Sequence, residues 1–296
     1  MSNAIVFYSA QIGKSCRKLE ALSQRGLKSV CSGNDTIARG VNLIFRWGCT
    51  GRTGMNDAKF VNTTKAIEWC CDKRGARLAM QAAGVPVPET WTTEEFAIVA
   101  SDADRGILSS QKFVARPEHH TQGKQMHVGT ALQLAWNQQF FPGGYISRFI
   151  DRVAEYRVFV VSNRVAWVNR TEDPGDGRMA WNYADGDNVY WGDWPAKVVT
   201  AALAAAKVSG TDFCAVDLMV DADGNAYVSE VNTAPGQEGT YHPSCVAKCF
   251  DYIIANGKEK FADPVVPEGT PADRAWRWYI HPAVSEQANA VHSRAA

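Results

Sequence analysis

The amino-acid sequence predicts an α+β protein in which a small α/β unit leads into antiparallel sheets. Three stretches carry that prediction. Residues 1 to about 70 alternate a strand, "AIVFYS", a helical pattern, "SCRKLEALSQRG", and a second strand-like run, "GVNLIFRWG", which is how an α/β layer begins. "GGYISRFID" and "YRVFVVSNRVAWVNR" alternate their faces as antiparallel strands do. "FCAVDLMVDADGNAYVSEVN" reads as a hairpin turned at "DADGN".

The elements between these stretches follow in order. "NTTKAIEWCCDKRGARLAMQAAGVPVPET" keeps helical spacing through Leu78 and Met80 until Gly84 stops it, and Pro86 and Pro88 force an extended exit. "KFVAR" is a strand, "PEHHTQGKQ" a polar loop and "MHVG" the returning strand, so this segment is a hairpin with a flexible tip. A helical stretch runs through "LQLAWNQQF". A loop of low hydrophobicity over roughly 171–195 then precedes the helix "PAKVVTAALAAAKVSG", which ends at Gly210. From about 263 the chain is rich in Pro, Ala and charge, the composition of a peripheral tail, and no internal repeat is present.

Composition excludes several functions. Lys+Arg and Asp+Glu both number 31, so no global basic field advertises nucleic acid or an anionic membrane, and any phosphate site must be local. No run approaches the ~18 to 20 apolar residues of a membrane span, and the polar start lacks the apolar core of a signal peptide. The expected location is the cytoplasm. Eight scattered cysteines form no CxxC pair and read as reduced, mostly buried thiols without a structural metal. "IGKS" at 12–15 is not a phosphate-binding P-loop, because Tyr8 stands where its first glycine is required. His119 and His120, adjacent on a loop, read as solvent-facing and not as metal ligands or an acid–base pair.

The chemistry concentrates in the last hairpin. In a strand the i and i+2 side chains leave the same face, so Glu230 and Asn232 of "SEVNTAPG" point together while Val231 points away. With the turn at "ADGN", Asp217 lies nearly opposite Glu230, and three oxygen ligands converge on one face. Such a set, completed by water and phosphate, suits Mg2+ better than zinc.

The motif D-x12-E-x-N followed by PG resembles the ATP-grasp superfamily of carboxylate–amine ligases. "EVNTAPGQEG" is close to the version in enzymes that append glutamate to a protein C-terminus or join amino acids to one another, and the spacing is similar to that of the D-alanine–D-alanine ligases. "DKRGARLAMQAAGVPVP" resembles the entry helix of that family, "FVARPEHHTQGKQ" its glycine loop, "YISRFID" its adenine hinge and "EYRVFVV" its ribose-binding strand. The resemblance covers roughly residues 62–255, in the family's order, and the compact N-terminal region is similar to that of small bacteriophage members.

What the resemblance implies is specific. The fold would be an ATP-grasp fold, with a pre-ATP-grasp subdomain over 1–70, a central subdomain carrying a phosphate lid over 71–143, a C-terminal subdomain carrying the Mg2+ site over 144–262 and a tail over 263–296. ATP would be clamped between antiparallel sheets. Asp217, Glu230 and Asn232 would hold Mg2+, two ions in the usual arrangement, with Mn2+ able to substitute. Lys73, Arg116, Gly123 and Lys124 would meet phosphates, with Arg116–Pro117 standing where relatives carry Lys-Pro. Arg148, Phe149 and Asp151 would line the adenine, Arg148 in place of a common glutamate, and Glu155 would accept the ribose hydroxyls. Arg157, Arg170, Arg178 and Asn182 would surround the γ-phosphate and an acylphosphate, Arg157 and Arg170 from neighbouring strands on a shared face. Arg46 and Arg52 would be free to pair with a substrate carboxylate. The activity implied is an ATP-dependent ligation of a carboxylate to an amine from an amino acid, peptide or protein terminus, and a homodimer is one arrangement open to it. A kinase phosphorylating a small molecule and a non-catalytic ATP-binding module are the alternatives.

Overall fold

Three four-stranded sheets, one parallel and two antiparallel, organise the computed structural model of this chain. It describes residues 4–33, 37, 39–54, 58–104, 110–118, 126–136, 143–173, 175, 181, 194–237 and 241–259. The mixture of helix and antiparallel sheet is the α+β architecture expected.

The parallel sheet has the order β2-β1-β3-β4, with β1 Ala4–Tyr8, β2 Lys28–Cys31, β3 Leu43–Trp47 and β4 Lys59–Val61. Helix α1 Gly13–Leu22 crosses between β1 and β2. One face of the sheet, through Val6, Tyr8, Phe45 and Trp47, packs with Cys16 and Leu19 of α1 and with Cys245, Val246 and Phe250 of the last described helix, α7 Tyr241–Asn256. The short strands β2 and β4 have no alternating pattern of their own and are held by their neighbours.

The single helical pattern expected over 62–83 is two helices, α2 Thr64–Cys71 and α3 Lys73–Ala82. Asp72 makes the break. Its N–H closes α2 on Glu68 O at 3.2 Å, while its carboxylate accepts from Gly75 N at 2.9 Å and caps α3, the local competition for backbone donors that favours Asp at helix starts. The break brings Lys73 to the first position of α3. Gly84, at φ 75°, ends α3 as expected.

The second sheet has the order β5-β8-β6-β7, from β5 Thr90–Thr92, β6 Lys112–Arg116, β7 His127–Thr130 and β8 Tyr145–Arg148. Helices α4 Thr93–Asp104 and α5 Ala131–Trp136 cover it through Phe96, Ala100, Ala131 and Leu134. The β6–β7 pairing is the expected hairpin; its tip, with Gly123 and Lys124, lies outside the described residues.

The third sheet, order β10-β9-β11-β12, comprises β9 Arg152–Val161, β10 Arg164–Thr171, β11 Phe213–Asp221 and β12 Ala226–Asn232. One face, through Val158, Val160, Val216 and Val228, packs on the Ala-rich helix α6 Ala196–Ser209, which ends at Gly210 with φ 65°. On the other face, Phe159, Trp167, Phe213 and Ala215 join the core beneath the parallel sheet. The two units are clasped by Asn62, whose amide donates to Phe213 O at 2.7 Å and accepts from Asp212 N and Phe213 N at 2.9 and 3.0 Å. All eight cysteines are free thiols, seven of them buried and Cys71 exposed. Among the described residues no helix is long and apolar enough to cross a membrane.

Candidate active site

The β11–β12 hairpin is tied off by one aspartate. Asp221 accepts from Asp223 N, Asn225 N, Asn225 Nδ2 and Tyr227 Oη at 3.0, 2.8, 3.1 and 3.1 Å, and Gly224 supplies the φ of 73° that the turn needs. This turn fixes the register. Asp217 faces Glu230, and Ala215 faces Asn232. The pairing then slips, with Leu218 opposite Val228, so Ser229 is an extra residue bulged from β12. The bulge has a packing purpose. Val228 and Val231, three apart, both enter the core against α6, and Glu230 and Asn232 are aimed to the opposite face.

On that face directly paired residues form a row across the sheet, running Asn169, Arg157, Asp217 and Glu230 from β10 to β12. Arg157 binds Asp217 in a two-pronged pair, Nε to Oδ1 at 2.6 Å and Nη2 to Oδ2 at 2.8 Å. Lys73 reaches over from α3, its Nζ 2.9 Å from Glu230 Oε2. Burial pushes the Glu230 carboxyl up, but the charge and hydrogen bond of Lys73, with Arg157 and Arg77 beyond, more than reverse this and hold it below the ordinary carboxylate value. Asn232 Oδ1 accepts from Ala234 N at 2.8 Å, bending the chain into "TAPG". There Ala234 lies so close to Gly48, at φ 58°, that a side chain at 48 would collide with it.

Two residues toward the start of β9, Glu155 shares the face of Arg157. Its Oε1 is 2.6 Å from Arg152 Nε, and the Arg152 guanidinium lies 4.2 Å from the centre of the Trp181 ring. Burial dominates and raises the Glu155 carboxyl from 4.5 to about 7, against the pull of Arg152. Arg116, at the end of β6, donates to Ser147 Oγ at 2.7 Å and sits over Tyr145. Burial, with Arg77 as a like-charged neighbour, lowers its pKa to about 10.

Several expectations are corrected. Arg170 pairs with Tyr156, and Arg157 with Asn169, so Arg157 and Arg170 leave opposite faces of the sheet. Arg170 lies beside Glu172, Nη2 to Oε1 at 3.1 Å. The residue next to Arg157 in the row is Asn169, buried and accepting from Trp167 Nε1, which no motif singled out. Arg46 is buried on β3, its Nη1 holding Cys49 O and Gly51 O, both at 2.9 Å, beneath Phe60; it braces the glycine-rich loop, while Arg52 is exposed. At the hinge, Arg148 N and Phe149 N are already bonded to Glu89 O and Lys112 O at 2.8 and 3.0 Å, and Arg148 pairs with Glu89 Oε2 at 2.8 Å. Their N–H groups are therefore not free donors. Asp151 is exposed just before β9. Arg178 and Asn182 lie outside the described residues, as do His119 and His120.

The donor set fits a hard divalent cation. Among the described residues no three His, Cys, Asp or Glu side chains gather into a metal cage. Two facing carboxylates and an amide are instead the sparse oxygen set of a cation that keeps water and takes its remaining ligands from phosphates. In the free protein Lys73 lies against Glu230 and Arg157 against Asp217.

This arrangement of sheets defines the ATP-grasp fold. D-alanine–D-alanine ligase from Bacillus anthracis superposes with a TM-score of 0.61 at 16% identity, over 88% of this chain and 98% of that one. The ATP-grasp ligase PsnB, in a complex with a phosphomimetic variant of its minimal precursor, Mg and ADP, gives 0.56 at 15% identity, over 87% and 99%. At the level of family, residues 123–248 match the RimK-like ATP-grasp domain. Mouse (Mus musculus) beta-citrylglutamate synthase B is 26% identical over 192 residues, which is 60% of this chain and 47% of that protein. The matched stretch thus spans about half the length of this curated relative.

Proposed function

We propose that this protein is an ATP- and Mg2+-dependent carboxylate–amine ligase that forms an amide or peptide bond through an acylphosphate. The observation that carries the reading is the Asp217–Glu230 pair midway along the β11–β12 hairpin, faced by Lys73 and Arg157. The relatives add support. Those named above are a synthase and two ligases, and one was solved with Mg and ADP.

In this reading Asp217, Glu230 and Asn232 hold Mg2+, which neutralises phosphate charge and aligns the γ-phosphoryl group for transfer. Lys73 exchanges Glu230 for a phosphate oxygen, a task suited to a point charge on a flexible stem. Arg157 gives up one prong on Asp217 to meet the charge that spreads over the transferring phosphoryl group. Arg116 contacts a phosphate nearer the base, Gly123 and Lys124 close over the phosphates, and Arg178 and Asn182 approach the acyl group. Glu155 accepts the ribose hydroxyls, and the adenine meets the carbonyls and side chains around Arg148, Phe149 and Asp151. Because Arg157 shares the face of Asp217 and Arg170 leaves the opposite one, we assign the γ-phosphate contact to Arg157.

The reaction balances in two steps. A substrate carboxylate oxygen attacks the γ-phosphorus and ADP leaves. An amine then attacks the acyl carbon, phosphate departs with the former carboxylate oxygen, and the amine loses its proton. Catalysis rests on positioning and charge neutralisation and needs no protein nucleophile, in keeping with the buried, raised thiols of Cys70 and Cys214 near the hairpin. We place the protein in the cytoplasm, with amino acids, peptides or a protein terminus as substrates.

The test is a screen of amino acids and short peptides, singly and in pairs, for ADP release with mass spectrometry of the products. A pair whose product mass is the sum less one water supports the ligase. ADP release with one substrate and a stable phosphorylated product would establish the kinase, and nucleotide binding without turnover the binding module.

A further inference from the structure

One turn after Lys73 on the same face of α3 stands Arg77, 3% exposed between the buried Ala76 and Met80. An arginine carries five donors and no acceptor, and burying its charge is costly unless the group is used. Its Nη2 donates to the main-chain oxygen of Ser229, the extra residue of the β12 bulge. From the other side, Ser229 Oγ donates to Asp217 O at 3.0 Å. The bulge that aims Glu230 is therefore clasped twice, once by its own side chain across to β11 and once by Arg77 from α3.

The rest of the guanidinium is equally constrained. It lies 5.8 Å from the centre of the Tyr145 ring, which Arg116 also covers at 5.7 Å, and its Nη1 is buried without a partner among the described residues. A helix that only needed to pack would carry an apolar residue here, as at Ala76 and Met80. The arginine stands where its fork reaches one carbonyl, that of the residue preceding the metal-facing carboxylate.

We propose that Arg77 is a positioning residue for the metal site: by holding the Ser229 carbonyl it fixes the bulge and sets Glu230 where the metal–nucleotide complex needs it, without touching the nucleotide. The inference rests on the ligase reading above. Groups that orient metal ligands typically cost about 10- to 100-fold in metal affinity when removed, and the loss here falls on the metal and not on the nucleotide.

The test measures Mn2+ binding, by the electron paramagnetic resonance signal of free Mn2+, in the presence of a non-hydrolysable ATP analogue. Affinity for the analogue is measured separately in EDTA. Arg77→Met is expected to weaken Mn2+ by at least about tenfold and to change analogue affinity in EDTA by less than about threefold. Arg77→Lys keeps the charge and one reachable donor, and falls between Met and wild type. Arg74→Met, on the same helix but bonded to Gly143 O, matches wild type. If Arg77→Met does not fold, Arg77→Lys decides alone. Wild-type Mn2+ affinity in the folded Arg77 variants overturns the proposal, as does a loss of analogue affinity in EDTA equal to the loss of metal, which would make Arg77 a phosphate ligand. If wild-type protein binds the analogue with no metal dependence, the ligase reading itself fails and this inference with it.

Discussion

Replacing Lys73 with Met should move two affinities in opposite directions. In the free protein Lys73 Nζ stands 2.9 Å from Glu230 Oε2, and the two side chains are 26% and 35% exposed. A pair this exposed is screened by solvent and worth about 1 kcal/mol, so removing the ammonium frees Glu230 and should tighten Mn2+ binding without nucleotide about fivefold. With nucleotide present the same ammonium serves a phosphate. A charge-assisted hydrogen bond of about 1.5–3 kcal/mol is then lost, and affinity for the ATP analogue should fall about 10- to 100-fold. Isothermal titration of Mn2+ into free protein, and of the analogue into protein saturated with Mn2+, reads both numbers. The reasoning is refuted if Lys73→Met binds Mn2+ alone no better than wild type while its affinity for the analogue is unchanged.

Glu230→Gln and Asp217→Asn keep shape and remove a charge, and each should lower the rate of ADP release by at least about a hundredfold; near-wild-type release at ordinary Mg2+ would dismiss the metal assignment. Glu155 makes a pH prediction. Because burial raises its carboxyl from 4.5 to about 7 in the free protein, its contribution to folding is full below 4.5 and lost as pH rises through 7. Only the ionised form accepts both ribose hydroxyls, so the KM for ATP should improve by up to about tenfold between pH 6 and 8. Glu155→Gln should flatten that dependence and narrow the preference for ATP over its 2′-deoxy analogue, and an unchanged profile would remove Glu155 from the ribose site. Asp221→Ala strips four hydrogen bonds from the hairpin turn and should cost about 1–3 kcal/mol in urea unfolding; a loss under about 0.3 kcal/mol would show that the turn does not depend on it.

The β11–β12 hairpin was legible because its logic is local. Period-two alternation and a turn sequence at "DADGN" are enough to set Asp217 against Glu230, as the register shows. The bulge at Ser229 was not legible, since nothing local distinguishes the two residues that oppose one; the clue was the three-residue spacing of Val228 and Val231, both buried. For the same reason the face of Arg170 is not legible in the sequence, and it is opposite to that of Arg157. Neighbouring strands were recognised, but register across β9 and β10, broken between Val165 and Trp167, belongs to tertiary packing. Helix α4 has a local start signal in the sequence. "TTEE" is a capping box in which Thr92 Oγ1 accepts from Glu95 N and Glu95 Oε2 accepts from Thr92 N, at 3.2 and 2.9 Å. Arg77 carried no signal in sequence, because a buried arginine and a solvated helix arginine have the same letter.

The central claim is that a carboxylate is activated by phosphoryl transfer on the face of Asp217 and Glu230 before an amine displaces phosphate. It is tested most directly by isotope transfer. With the carboxylate substrate found by the paired screen labelled with oxygen-18 at both carboxyl oxygens, turnover in the presence of the amine should deliver one labelled oxygen to each phosphate released and leave one in the amide, by mass spectrometry of both products. Unlabelled phosphate, or ADP formed at the same rate without the amine alongside a stable phosphorylated product, would contradict it.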